Sequence, residues 1–103
     1  MNGSKDKELR FVARLRLARV QVDMGKPDDA LATLAAAEPG AFKGRFHEVR
    51  GDALLAKKDV PGAVREYQAA LDSGDQRTDD AVLQLKIADL GVTPVSHADK
   101  AKP

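Results

Sequence analysis

Few residues in this sequence have the type and spacing that catalysis or metal binding requires. His47 and His97 are far apart in sequence and make no local metal motif, so zinc is not expected and His47 reads as a packing residue. Cysteine is absent, which removes thiolate zinc sites, disulfide scaffolds and cysteine nucleophiles together. Ser4, Ser73 and Ser96 fall in linkers or tails without a partnered base. Gly25, Gly40, Gly44 and Gly51 sit at helix boundaries or packing positions, where no strand precedes them to build a phosphate loop. With no catalytic residue and no cofactor expected, the chemistry left is recognition by charge and shape. Its candidates are the basic series Arg10, Arg14, Arg16 and Arg19 and the carboxylates Glu48 and Asp52. The basic series reads as solvated helix edges, paired in part with Glu48 and Asp52, or as a polar contact to a partner. Lys and Arg total 17 against 16 Asp and Glu, a net charge of +1. That balance gives no basic excess for nucleic acid or anionic lipid.

The elements that must position these groups are helical. The chain has 103 residues, 43% of them hydrophobic but only 4% aromatic, and the apolar share is mainly Ala, Leu and Val. Such a composition suits closely packed helices in one small domain better than a sheet core. No run approaches the roughly 20 apolar residues that span a bilayer, and the first five residues lack the apolar run of a secretory signal. Residues 1–6 are expected to be disordered or left over from cloning, and residues 92–103, with two prolines and few large apolar groups, to be a flexible tail. The domain is then 7–91, with five helices. The first runs from Lys7 to Met24 and stops at Gly25. The second opens on Pro27 and ends near Glu38, and the third spans Phe42 to Lys58. Asp59 caps the fourth, which reaches Ser73-Gly74, and Thr78 caps a fifth that ends at Gly91.

Set against itself at an offset of 33 residues, the chain brings Ala18 over Gly51, Ala30 over Ala63, Leu34 over Tyr67 and Ala37 over Ala70. Two helices per period of about 34 residues resembles the tetratricopeptide repeat. The second copy fits best, with Gly51, Leu54, Ala63, Tyr67 and Ala70 at the Gly, Tyr, Ala, Phe and later Ala positions, and His47 and Arg50 where Trp and Leu are usual. The first departs further, with Arg14, Ala18 and Gln21 at the Trp, Gly and Tyr positions. Small residues at Gly51, Ala63 and Ala70 allow close helix approach, and Tyr67 fills the space beside them. The fold class is therefore an all-α, tetratricopeptide-like right-handed superhelix of two helix pairs plus a capping helix.

The first helix is apolar on two sides, Phe11, Leu15, Ala18 and Val22 against Leu9, Ala13, Val20 and Met24. The fifth divides likewise, Ala81, Leu85 and Ala88 against Leu83, Ile87 and Leu90. A terminal solenoid helix should have a polar outer face, so further repeats are expected before Lys7, making this the carboxy-terminal part of a longer protein. The alternatives are that the first helix packs against helices on both sides within this short superhelix, or that a second copy packs on the Leu9 face as a weak homodimer.

More specific are Glu8 to Val22, Asp29-Ala30-Leu31 with Thr33-Leu34, Val49 to Asp59, and the closing Leu85 to Leu90. Arg-Leu-Ala-Arg-Val and Arg-Gly-Asp-Ala-Leu are the most discriminating stretches. Together they resemble the carboxy-terminal domain of the YfgM-like family of ancillary SecYEG translocon subunits. The resemblance implies a non-enzymatic protein with one amino-terminal transmembrane anchor that lies outside this chain. It also implies a periplasmic tetratricopeptide domain that associates with translocon subunits and with chaperones such as PpiD. The repeat geometry, carried over, places Leu15, Arg19, Val22, Glu48, Asp52 and Leu55 on a concave groove. The Lys and Asn of a carboxylate clamp are missing there, and Glu48 and Asp52 are expected to repel an acidic tail.

Overall fold

The structure, a computed structural model, describes residues 3–36 and 42–91. Among them are five α-helices and no strand: α1 (Gly3–Asp23), α2 (Pro27–Ala35), α3 (Lys43–Ala56), α4 (Val60–Asp72) and α5 (Asp80–Asp89). Helix α1 begins four residues before the expected Lys7. Nothing from Gly3 to Lys7 breaks a helix, and Asp6 lies in the first turn, where a carboxylate faces the positive end of the helix dipole. Met1, Asn2, Ala37, Glu38 and the expected tail from Val92 to Pro103 lie outside the described residues.

The helix ends follow local chemistry. Gly25 (φ +76°) turns the chain between α1 and α2, and Pro27 opens α2. Helix α3 closes with the Asp59 amide donating to the Leu54 carbonyl at 2.9 Å, which requires a left-handed residue between them; here that residue is Lys58 (φ +66°). Asp59 then caps α4, its carboxylate accepting from the Gly62 amide at 3.0 Å. The cap of α5 is Asp79 and not the expected Thr78. Asp79 accepts from the Ala81 and Val82 amides at 3.0 and 3.3 Å, while the Thr78 hydroxyl is turned away to donate to the Asp75 carbonyl at 2.7 Å.

Helix α3 has no cap from its own segment. Asp75, in the loop before α5, supplies one: its side chain is only 2% exposed, and its two oxygens accept from the Arg45 amide at 3.3 Å and the Arg77 amide at 2.9 Å. The loop presses so closely on α3 that a Cβ at Gly44 would lie 2.5 Å from that of Asp75. Arg77 stacks over Phe42, 4.3 Å from the ring centroid, and closes the same corner.

Each helix packs on its neighbour in the chain, and α1 also contacts α3, the stacking order of a solenoid. The core has two parts. Leu15, Ala18, Ala30, Leu34, Phe42, Phe46, Val49 and Ala53 fill the space among α1, α2 and α3. Phe11 lies 5.9 Å from Phe42 and 6.3 Å from Phe46, the latter edge to face. Ala63, Tyr67, Ala70, Leu71, Leu83 and Ile87 join α4 to α5. Burying a side chain the size of Phe46 or Leu34 contributes roughly 1.5–3 kcal/mol each, so these few contacts carry most of the stability of a chain this short.

Candidate recognition face

Helices α1, α3 and α5 present the polar side chains that meet across the helix stack. Two clefts lie between α1 and α3. The larger, about 220 Å³, is bordered by Val12, Leu15, Arg16 and Arg19 from α1 and by Arg45 from α3. The smaller, about 120 Å³, is bordered by Arg19, Val22, Asp23, Val49 and Asp52.

Beyond them, α3 meets α5 through an ionic cluster. The Lys86 ammonium donates to Glu48 at 2.9 Å and to Asp52 at 3.1 Å. The Tyr67 hydroxyl, from α4, donates to the same Asp52 oxygen at 2.5 Å, and Lys86 lies 5.5 Å from the centroid of that ring. Burial works against the charge on Lys86, but the hydrogen bond to Glu48 and the pull of Asp52 outweigh it and hold its pKa above the usual lysine value. Burial, reinforced by the Asp52 hydrogen bond and charge, pushes the Tyr67 phenol far above its ordinary pKa. Glu48, 9% exposed, is buried with the Lys86 ammonium as its ion-pair partner.

This arrangement corrects the expected pairing. Among the described residues Glu48 and Asp52 are held by Lys86 and Tyr67, not by the arginines of α1. Nor is the whole basic series solvated: Arg14 is half-buried, donates to the Thr33 carbonyl at 3.4 Å, and leaves its Nε buried without a hydrogen-bond partner. His47 is not purely a packing residue either, since its Nδ1 lies 3.1 Å from Glu66, which Arg50 also approaches at 3.4 Å.

Of the six residues assigned to a groove, Arg19, Val22 and Asp52 border the smaller cleft. Leu15, 4% exposed, is part of the core and forms the floor of the larger one. Glu48 is covered, and Leu55 is exposed near the end of α3. Among the packing positions Ala18, Ala30, Leu34, Gly51, Ala63, Tyr67 and Ala70 are buried and Leu54 is half-buried, while Ala37 lies outside the described residues. The residues that sequence reasoning missed are Arg45 and Lys86. A signal for Lys86 existed: the 33-residue offset that pairs Arg19 with Asp52 leads on to Leu85, its neighbour.

The outer side of α1 carries Leu9 (68% exposed), Leu17 and Val20, continued by Met24 (61% exposed) just past its end, in a stripe facing away from the core, and α5 exposes Val82 and Leu85. Among the described residues, no group of three His, Cys, Asp or Glu could hold a metal ion, and no helix is long and apolar enough to cross a membrane.

Five helices stacked in chain order, with small residues where the pairs touch, define a helical repeat domain. The chain belongs to the tetratricopeptide repeat-like domain family, whose model matches residues 1–92. It is 35% identical over 89 residues to the ancillary SecYEG translocon subunit of Escherichia coli (strain K12), covering 86% of this chain and 43% of that protein. The protein of the same name from Haemophilus influenzae is 34% identical over 76 residues, 74% of this chain and 37% of that one. The one from Aggregatibacter actinomycetemcomitans is 39% identical over 70 residues, 68% and 34%. The resemblance to the YfgM-like family therefore holds, and the chain spans less than half the length of these curated relatives. No solved structure matches it.

Proposed function

We propose that this chain is a non-enzymatic protein-binding module of a translocon-associated protein. It contacts SecYEG subunits and periplasmic chaperones of the PpiD kind on the periplasmic side of the bacterial inner membrane. The similarity to three ancillary SecYEG translocon subunits carries this reading. The α1/α3 face supports it: Arg16, Arg19 and Arg45 border Val12 and Leu15 in the larger cleft, and Arg19, Asp23 and Asp52 border Val22 and Val49 in the smaller. The test is binding of the purified chain to SecYEG in lipid nanodiscs, and to PpiD, by interferometry. Saturable binding to SecYEG is expected, whereas none to either partner overturns the reading.

The exposed stripe of Leu9, Leu17, Val20 and Met24 favours a second reading, self-association through the outer face of α1. Sedimentation equilibrium decides it: a monomer independent of concentration excludes the dimer.

A further inference from the structure

We infer that the larger α1/α3 cleft is a docking site for an acidic segment of a partner protein, with carboxylate side chains flanking an apolar residue. The inference rests on the module reading above and adds the chemistry of what is bound. It starts from a local imbalance of charge. The chain as a whole is nearly neutral, with 17 basic and 16 acidic residues. Yet the cleft borders on three guanidinium groups, Arg16, Arg19 and Arg45, and on no carboxylate.

Most of the acids that could balance them are engaged elsewhere, and Asp23, beside Arg19, borders the smaller cleft and not the larger. Glu48 and Asp52 are held by Lys86, Glu66 by His47 and Arg50, Asp28 by Lys57, and Asp75 by Arg77. Among the described residues, none of the three guanidinium groups has a carboxylate within ion-pair distance. Lys86 offsets one of the two charges of Glu48 and Asp52, and neither carboxylate borders the larger cleft, so the repulsion expected of them is lessened there.

Geometry adds specificity to the charge. Arg16 and Arg19, three apart on α1, stand on one edge of the helix, and Arg45 faces them from α3 across a floor of Val12 and Leu15. Each guanidinium offers a planar fork that matches a carboxylate in two parallel hydrogen bonds. An apolar side chain seated on Val12 and Leu15 displaces water, which strengthens the flanking ion pairs and separates a peptide from a bare anion. Three arginines on two helices also fix the direction of an extended segment, because its carboxylates must be spaced to reach both sides. The recognised groups are side chains, so the segment needs no free C-terminus.

The test is fluorescence anisotropy with a labelled peptide of alternating Glu and Leu, blocked at both ends, and its Lys and Leu counterpart as control. Binding of the acidic peptide alone is expected, weakening as salt is raised. Arg16→Glu, Arg19→Glu and Arg45→Glu together should lower the affinity by roughly tenfold or more, with the helical circular dichroism kept. Should the triple variant unfold, Arg16→Gln and Arg19→Gln singly are each to weaken binding about threefold. Arg65→Glu, an exposed change on α4, should leave it unaltered.

Equal affinity for the basic peptide, or no loss in the variants, overturns the inference. So does binding of polyphosphate or phosphatidylglycerol vesicles as tight as that of the peptide. If the triple variant still binds SecYEG as the parent does, the module reading stands and the acidic-segment inference falls.

Discussion

The two helical hairpins, α1/α2 and α3/α4, reach the same backbone through different residues. At the turn inside each hairpin, equivalent positions 33 residues apart are Gly25 (φ +76°) and Lys58 (φ +66°), and the next equivalent, after α5, is Gly91 (φ +83°). One position later stand Lys26, which makes no side-chain cap, and Asp59, which does. In the helix interior the first hairpin pairs Ala18 with Leu34 and the second Gly51 with Tyr67. The repeat thus conserves a shape and lets each copy reach it separately. Where one copy has a good turn residue it lacks a cap, and where it has a large side chain on one helix it has none on the other.

The steepest test of that trade is at Gly51. A Cβ there would lie 2.6 Å from the Tyr67 ring, closer than real atoms approach, so the ring or the backbone must move. Gly51→Leu should cost about 3 kcal/mol or more, a fall in melting temperature of roughly 10–20 °C for a domain of this size. Gly51→Ala should cost less, and adding Tyr67→Leu, which copies the first hairpin, should recover part of it. Thermal denaturation of the four proteins gives the coupling, expected at about 1 kcal/mol or more in favour of the double variant. Independent effects at the two sites would show that the small residue and the ring do not share one space.

The second hairpin also owns the ionic cluster, and this separates it from the first by pH. The raised pKa of Tyr67 means that the unfolded chain loses the phenol proton from about pH 10 while the folded chain keeps it. Stability from this group is present below that value and lost as pH rises above it. Lys86 acts in the same direction, since its raised pKa stabilises the fold below the unfolded lysine value and that stability is lost as pH rises through the folded one. Urea unfolding should therefore show stability falling above about pH 10. Tyr67 is the only tyrosine, so its phenolate absorbance should appear only as the chain unfolds. Tyr67→Phe should cost about 1–2 kcal/mol at neutral pH through the lost hydrogen bond to Asp52 and make the alkaline decline shallower. Phenolate absorbance rising at ordinary tyrosine pH in the folded protein would show that the cluster is open to water.

What was legible in the sequence divides along the same line. Gly25, Gly91, Pro27 and Asp59 mark helix ends by interactions within a few residues, and the 33-residue offset finds Gly51 and Tyr67 because their fit is built into the repeat. The Thr78-Asp79-Asp80 run holds three cap candidates, and the choice of Asp79 depends on the Asp75 carbonyl engaging the Thr78 hydroxyl. Asp75 itself caps a helix 30 residues earlier in the chain. Lys86 reaches Glu48 across 38 residues, and Arg14 reaches the Thr33 carbonyl across 19. Opposite charges on helix faces can be matched in many ways, and sequence gives no distance by which to choose. That is why the sequence pairs the arginines of α1 with Glu48 and Asp52, and why the guanidinium groups of Arg16 and Arg19 in the α1/α3 cleft, unpaired among the described residues, emerge only with the fold.

The smallest expected effects are at the turns. A non-glycine residue in the left-handed region costs roughly 1 kcal/mol, partly offset by the greater freedom that glycine adds to the unfolded chain. Lys58→Gly should therefore stabilise the protein by about 0.5 kcal/mol. Lys58 is exposed and makes no ion pair among the described residues, so little is lost with its side chain. In the first hairpin the weak point is the cap, and Lys26→Asp should place a carboxylate at the start of α2, worth about 1 kcal/mol. Asp28 and Asp29 already crowd that first turn, so their repulsion should hold the gain below that of an isolated cap. Urea midpoints of Lys58→Gly, Lys26→Asp and the pair should rise in that order, and the shortfall of the pair from the sum should measure the coupling carried between the two turns by the Lys57–Asp28 ion pair. If Lys58→Gly lowers the midpoint instead, the lysine side chain contributes to the α3/α4 turn something that its backbone angle does not reveal, and the equivalence of positions 25, 58 and 91 is one of geometry without a common energetic cause.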